Sequence, residues 1–219
     1  TGCVCRLYDK QLKTDILSAN GVPYAPFEPV VLEDNGKGYC LSWPTGKTWH
    51  AGEYPGASIR VEVSGLSARL IVERPLFAES GDARFGRRTV TTYELLTGTR
   101  RLDVLMEVEW DSPHLRELRW HVPVAFKDPT WAYDTLFSTT DYDPDLPKRQ
   151  QLVARYDPWG AGATDKTEKY YDWRNVTRFA SAYDAAGDRS VSLTVPQALM
   201  RVEQGGVSFT VLEERTDSF

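Results

Sequence analysis

The stretch from Arg101 to Trp110 alternates between an apolar row and a largely charged row. The apolar row contains Leu102, Val104, Met106, Val108 and Trp110, and the other row contains Arg101, Asp103, Glu107 and Glu109, with Leu105 as its exception. Successive side chains of a β-strand point to opposite faces of the sheet, so this alternation is typical of a strand with one face over a core. The pattern predicts a long antiparallel strand.

The next segment, residues 115–124, alternates in the same way after a polar break at 111–114. Its apolar positions are Leu118, Trp120, Val122 and Val124, and its outward polar positions are Arg119 and His121. Because two alternating runs separated by a short polar segment favour a hairpin, we expect the two strands to be neighbours in one sheet.

Extended segments recur along the whole chain, and little of it has the period of a helix. The predicted strands are 2–8, 29–33, 38–43, 58–63, 68–73, 88–96, 101–110, 115–124, 132–137, 151–155, 176–183, 190–195, 199–203 and 207–212. Turns are indicated at Asn20-Gly21, Asn35-Gly36, Gly81-Asp82, Gly98, Gly187-Asp188 and Gly205-Gly206, and long loops at 141–147 and 157–164. We therefore expect an all-β fold, a large antiparallel β-sandwich of two stacked sheets, forming a single domain over residues 1–219.

The composition argues against two classes of partner. Hydrophobic residues make up 41% of the 219 positions and charged residues 26%, which is ordinary for a globular protein. No apolar run approaches the roughly 18 residues that a membrane span needs. The net charge of −5, with basic residues spread along the chain, provides no basic stripe for a phosphate backbone. We expect neither nucleic acid nor a membrane as a partner.

The three cysteines predict free thiols. Cys3 and Cys5 share one face of the first strand and Cys40 is distant in sequence, and an odd count is atypical of a disulfide framework. We expect reduced, buried thiols, which favour a soluble, cytoplasmic protein. The chain begins at Thr1 without a signal peptide, in what reads as a strand interior, so we expect a processed or excised piece of a longer protein.

Two acidic groups have spacings that catalysis or metal binding could use. Glu107 and Glu109 share a strand face about 7 Å apart, which suits a pair of glycosidase carboxylates, but their face also carries other charges and is typical of a solvated surface. Asp141, Asp143 and Asp145 have the opening spacing of a calcium loop. The positions that an EF-hand fills with Gly and Glu hold leucines here, so a solvated turn is favoured.

The histidines do not indicate a metal site. His50, His114 and His121 lack the spacings of ligand pairs on one helix or strand, and we expect them at turns or on the surface. No nucleophile elbow is present. Asn175-Val-Thr177 is a formal glycosylation acceptor, which matters only in a secreted protein.

Aromatic residues near the two long loops are the best candidates for a ligand-binding surface. Tryptophan and tyrosine rings can stack on sugars, or they can fill a core. The candidates for carbohydrate binding are Trp131, Tyr142, Trp159 and Trp173. The alternative for each is a role in packing.

Several tracts in order along the chain resemble one enzyme family. They are the strand ending in Leu7-Tyr8-Asp9-Lys10, the run from Thr92 through Arg-Leu-Asp103 to the acidic-Trp tract at Glu109-Trp110, the strand ending in Val122-Pro-Val124, Tyr133 to Phe137, Asp172 to Arg178, and Ser190 to Leu193. Together they are similar to the C-terminal β-domain of glycoside hydrolase family 38, the α-mannosidases.

The resemblance implies a supersandwich of the galactose-mutarotase-like type within a larger retaining α-mannosidase. In that family, zinc and the catalytic aspartate belong to an N-terminal domain, so we expect no cofactor and no catalytic residue in this segment. The implied role is a non-catalytic domain that packs on the catalytic domain and contributes to binding mannose-containing glycans. The alternatives are an independent carbohydrate-binding module and a small mutarotase-like or lyase-like enzyme, since fold alone does not settle function.

Overall fold

The chain is an all-β protein. The computed structural model describes residues 2–18, 24–34, 44–75, 86–110, 116–142, 174–195, 198–203 and 206–213. The strands in these residues are β1 (Arg6–Asp9), β2 (Thr14–Ser18), β3 (Glu28–Asp34), β4 (Pro44–His50), β5 (Ser58–Val63), β6 (Ser67–Arg74), β7 (Gly86–Leu96), β8 (Leu102–Trp110), β9 (Arg116–Pro123), β10 (Thr130–Asp134), β11 (Thr139–Asp141), β12 (Arg174–Val176), β13 (Phe179–Tyr183), β14 (Ser190–Thr194), β15 (Ala198–Glu203) and β16 (Gly206–Glu213). A short 3-10 turn, Ala51–Glu53, follows β4.

The strands form three sheets and a hairpin, with antiparallel pairing throughout. The largest sheet has the order β12-β15-β16-β9-β3-β4. Two four-stranded sheets have the orders β5-β6-β7-β8 and β11-β10-β13-β14, and β1 pairs with β2. The prediction of an all-β antiparallel sandwich is confirmed, but the described strands divide into more than the two stacked sheets expected.

The core lies on one face of the six-stranded sheet. The larger buried cluster joins Val122 and Phe209 of that sheet to Tyr93 of β7 and Trp131 of β10. The smaller cluster packs β3, β4 and β9 against β8 around Leu118. The six-stranded sheet therefore contacts both four-stranded sheets, and burial of this apolar area is the main favourable term in folding.

Strand β8 has the orientation that its alternation predicts. Its apolar row is half-buried against the core, and Leu105 and the glutamates of the other row are exposed. The hairpin prediction, however, is wrong: β8 pairs with β7, whereas β9 pairs with β3 and β16 in the other layer. The two strands face each other across the core, where the indole N–H of Trp120 donates to the sulfur of Met106 at 2.9 Å. Alternation identifies the buried face of a strand but does not identify its neighbours.

Some predicted turns are confirmed and others lie outside the described residues. Gly98 and Gly187 adopt positive φ angles of 77° and 73°, which glycine accepts without steric cost. The turns at 20–21, 35–36 and 81–82, the predicted strands 38–43 and 151–155, and the loop at 157–164 fall outside the described part of the chain. Within that part, no helix has the length and apolar character needed to cross a bilayer.

Candidate functional site

The second face of β9 carries three polar side chains that are almost fully buried. Glu117, Arg119 and His121 have exposed fractions of 2%, 4% and 1%. They alternate with Leu118 and Trp120, so the strand geometry places all three on the face turned away from the apolar core. The expectation that His121 lies at a turn or on the surface is therefore wrong. Sequence reasoning recognised the alternation but not the burial of its polar side.

Glu117 and Arg119 form a two-point ion pair. The Nε and Nη2 groups of Arg119 each donate to one carboxylate oxygen of Glu117, both at 2.6 Å. This planar arrangement is the strongest geometry available to an Arg and a carboxylate. Because both charges are withdrawn from water, loss of either would remove a charge-assisted pair of hydrogen bonds from the other inside the protein, which is costly.

A stack of three rings, here called the imidazole cluster, consists of Tyr24, His50 and His121. The ring of Tyr24 lies 5.1 Å from that of His50 at an interplanar angle of 29°, and 4.1 Å from that of His121 at 42°. Burial, together with the nearby His50, lowers the pKa of His121 to about 3. His121 is therefore neutral at physiological pH. His50 is half-buried, and its Nε2 lies 3.5 Å from the hydroxyl of Thr48.

Glu28 fixes the segment that carries Tyr24. One oxygen of its buried carboxylate accepts from the N–H of Ala25 at 2.8 Å, and the other accepts from the N–H of Gly52 at 2.6 Å. Phe27, which lies between Ala25 and Glu28 in the chain, adopts a φ of 56°, an uncommon value for a residue with a large side chain. The carboxylate thus ties the start of β3 to the 3-10 turn after β4, and it holds the backbone next to Tyr24 in place.

A second polar cluster lies where the N-terminal segment meets β6. Arg74 donates from Nη2 to the carbonyl of Gly2 at 2.6 Å and from Nη1 to the sulfur of Cys3 at 3.4 Å. Burial raises the pKa of the nearby Tyr93 phenol well above its usual range. Cys3 is half-buried and Cys5 is exposed, and both are free thiols. The expectation of buried thiols is therefore wrong for Cys5, and Cys40 lies outside the described residues.

The predicted carbohydrate-binding aromatics divide into two groups. Trp131 and Tyr142 are buried in the larger core cluster, where Tyr142 meets Tyr133 edge-on with ring centroids 6.4 Å apart. Neither ring presents an open face to a sugar, so we correct their role to packing. Trp159 and Trp173 lie outside the described residues, and their assignment stays a prediction.

Of the acidic residues considered for catalysis or metal binding, those that the structure describes are at the surface. Glu107 and Glu109 are exposed on the outer face of β8, and Arg88 donates from Nε to Glu109 at 2.7 Å. The prediction of a solvated sheet surface is confirmed. Asp141 is exposed at the end of β11, and Asp143 and Asp145 lie outside the described residues. The described residues bring together no group of three His, Cys, Asp or Glu side chains that could hold a metal ion.

The turn between β10 and β11, here called the Leu-Phe tip (residues 135–138), presents two apolar side chains to water. Leu136 is 78% exposed and Phe137 97% exposed. The turn itself is closed, because the N–H and the hydroxyl of Thr135 both donate to the carbonyl of Ser138, at 2.7 Å and 3.0 Å. The two apolar side chains are thus held out on an ordered turn.

Asp134 anchors the base of the Leu-Phe tip. Its carboxylate accepts from the backbone N–H groups of Arg178 and Phe179 at 2.7 and 2.8 Å, and from the guanidinium of Arg178 at 2.9 Å. Burial acts to raise the pKa of Asp134, but these donors outweigh it and hold the pKa below its usual range. The carboxylate therefore stays ionised and ties β10 to the start of β13 and the residue before it.

Comparisons with known proteins do not identify a family. No protein-family model matches the sequence, and no curated protein sequence matches it significantly. The resemblance to the α-mannosidase β-domain therefore stays a prediction from the residues.

We predict that acid destabilises this fold through His121. Its pKa is about 3 in the folded chain and about 6.5 when unfolded, so between these values the unfolded state binds a proton that the folded state does not. The contribution of His121 to the free energy of unfolding should be fully present above pH 6.5. Below that pH the free energy of unfolding should fall by up to about 1.4 kcal/mol per pH unit. Urea denaturation at a series of pH values measures this slope.

The control for this prediction is His121→Gln, which keeps a polar side chain but cannot titrate. Asp134 and Asp184 also have lowered pKa values, so they also destabilise the fold on acidification, and they remain in both proteins. The variant should therefore show a shallower slope than the native chain from about pH 6.5 to 4. Identical slopes would show that the pKa of His121 is not lowered in the folded state, and that the folded chain binds this proton as readily as the unfolded chain does.

Removing one member of the buried ion pair should be costly. Glu117→Gln leaves Arg119 charged and buried, and we expect a loss of about 3–5 kcal/mol in the free energy of unfolding. The matched control is Asp103→Asn, since Asp103 pairs with Arg101 across the same two-residue spacing on the exposed surface. That change should cost less than about 1 kcal/mol. Equal losses in chemical denaturation would contradict the structural role of the buried pair.

Proposed function

We propose that this chain is the non-catalytic C-terminal β-domain of an α-mannosidase-like glycoside hydrolase, with a fold of the galactose-mutarotase-like supersandwich type. Its role is to pack on the catalytic domain and to contribute to carbohydrate binding. The zinc ion and the catalytic aspartate of the parent enzyme would belong to the other domain. The partners are that domain and mannose-containing glycans.

The observation that carries the proposal is the Leu-Phe tip. A phenylalanine that is 97% exposed on a hydrogen-bonded turn gains nothing from folding within this chain. Large apolar side chains held in this way are typical anchors for a second protein surface, because a few such residues supply most of the binding energy of an interface. The tip also belongs to the Tyr133 to Phe137 tract on which the family resemblance rests.

The positions of the other family-like tracts support the same proposal. The run from Thr92 to Trp110 covers the end of β7 and the whole of β8. The run ending in Val122-Pro-Val124 corresponds to β9, which lies in the middle of the largest sheet. These tracts therefore build the interior of one sandwich. The acidic side chains on β8 and β9 are either solvated or held in an ion pair, which fits a structural domain better than a catalytic one.

A specific observation favours a second candidate, a small mutarotase-like enzyme. That function needs imidazole, phenol, guanidinium and carboxylate groups on one sheet face, and the imidazole cluster with Arg119 and Glu117 supplies them. The first proposal is preferred because His121 is sequestered from solvent and the carboxylate of Glu117 is already bound to Arg119. In the first proposal the half-buried Tyr24 and His50 contribute to sugar binding.

The Leu-Phe tip gives a direct test of the docking role. Phe137→Ser should leave the melting temperature of the isolated chain unchanged, because the ring makes little contact there, and should lower the temperature of thermal inactivation of the full-length enzyme. Leu12→Ser is the matched control, since Leu12 is an exposed apolar residue at another hairpin turn. If Phe137→Ser leaves the full-length enzyme as stable as the control does, the tip is not an interface.

Activity measurements separate the two candidate functions. The 219 residues alone should not hydrolyse an aryl α-mannoside, with or without added zinc, whereas the full-length enzyme should. Polarimetry on freshly dissolved aldohexoses tests the alternative. Hydrolysis by the isolated chain would refute the first proposal, and a mutarotation rate that His50→Ala abolishes would establish the second.

A further inference from the structure

In the described part of the chain, strand β5 is the edge strand of its sheet, and it carries an exposed apolar row. Among the described strands it pairs with β6 alone, at the end of the order β5-β6-β7-β8. Ile59, Val61 and Val63 have exposed fractions of 59%, 64% and 77%. An edge strand presents unpaired backbone N–H and C=O groups, and natural proteins usually blunt such edges with charged side chains, proline, bulges or short length. The six residues of β5 contain no proline, and its pairing with β6 has no bulge.

The exposed row lies on the face of the sheet that covers the core. Ile59 is opposite Val72, which is fully buried, and Val61 is opposite Leu70, which packs against the core cluster. The apolar face of this sheet thus extends past the core that it covers and onto β5. An apolar face that continues into solvent at an open edge is a candidate interaction surface.

The other face of β5 carries two opposite charges, one on each side of Val61. Arg60 and Glu62 lie 3.1 Å apart, Nε to Oε1, and both are well exposed. An ion pair with this much exposure contributes little to folding of the single chain. The strand therefore presents a positive and a negative group at equal distances from its central valine.

We propose that β5 pairs with β5 of a second copy of this chain, antiparallel and centred on Val61. In this register Val61 is opposite Val61 of the second copy, and Arg60 is opposite Glu62 of the second copy. Ile59 is opposite Val63 in the same way. The Arg60–Glu62 and Ile59–Val63 contacts each occur twice because the pairing is two-fold symmetric, and the Val61 contact lies on the axis. The two four-stranded sheets become one continuous sheet, and the two exposed apolar rows become adjacent on one face.

The charges select this register over its neighbours. Centring the pair on Arg60 would place two arginines directly opposite each other, and centring it on Glu62 would do the same with two glutamates, both of which are unfavourable. A slip by one residue would place the apolar row of one copy on the charged side of the other. Only the register centred on Val61 matches charge with opposite charge and apolar with apolar. A second copy is therefore the partner that this strand fits.

Charge reversal with the full 219-residue chain tests the pairing. Sedimentation equilibrium should show the native chain shifting with concentration from the mass of one chain to that of two. Arg60→Glu and Glu62→Arg should each weaken dimerisation, roughly ten- to hundredfold, since each creates two like-charge contacts. An equimolar mixture of the two variants should recover dimerisation, because a heterodimer restores both opposite-charge contacts. The double variant with both reversals should also dimerise.

Two controls make the result decisive. Arg101→Glu reverses a comparable exposed pair, Arg101 with Asp103, at the strand on the other edge of the same sheet, and it should leave the dissociation constant unchanged. Circular dichroism should show that each single variant is folded before mixing. A native chain that stays monomeric, or a dimer that neither single reversal weakens, would overturn the proposal. So would a mixture of the single variants that dimerises no better than either alone.

Discussion

Strand β9 is buried on both faces, and the rest of the sandwich depends on how its apolar side chains pack and how its buried polar side chains are paired or kept neutral. On one face, Leu118 and Val122 enter the two apolar clusters that hold the three sheets together. On the other, Glu117, Arg119 and His121 would each be costly to withdraw from water alone. The cost is reduced because the carboxylate and the guanidinium neutralise each other and the imidazole is uncharged. A central strand of this kind tolerates few substitutions on either side.

The neutral state of His121 connects this constraint to the neighbouring strands. Its ring lies against Tyr24, and the segment carrying Tyr24 is held by the carboxylate of Glu28, which also binds the turn after β4. Three neighbouring strands, β9, β3 and β4, are therefore linked on their polar side by hydrogen bonds and ring contacts, in addition to the sheet ladder. A protonated imidazole at this position would place a charge in a site built for a neutral ring.

The sequence predicted well what depends on local alternation. The two faces of β8, with Leu105 as the exposed exception, follow directly from the parity of residues 101–110. Strand order did not follow, because the pairing of β8 with β7 and of β9 with β3 depends on contacts distant in the chain. The polar side of β9 was predicted to meet solvent, since nothing in the pattern distinguishes a solvated charged row from a buried, paired one. The candidate aromatics show the same limit: Trp131 is core because of sheet packing that its sequence neighbours do not encode.

Strand β10 ends at Asp134, before the end of the strand predicted for residues 132–137, because a local turn follows it. Thr135 and Ser138 close a turn through their backbone and the threonine hydroxyl, and such local bonds compete with strand extension. Without that turn, Leu136 and Phe137 would alternate between the two faces of the sheet, and one of them could be buried. The turn exposes both instead. Its apolar pair lies on a different sheet from β5, so docking at the tip and pairing at the β5 edge use separate surfaces. A chain that uses both could pack on a neighbouring domain and still associate with its own copy, because neither contact occupies the residues of the other.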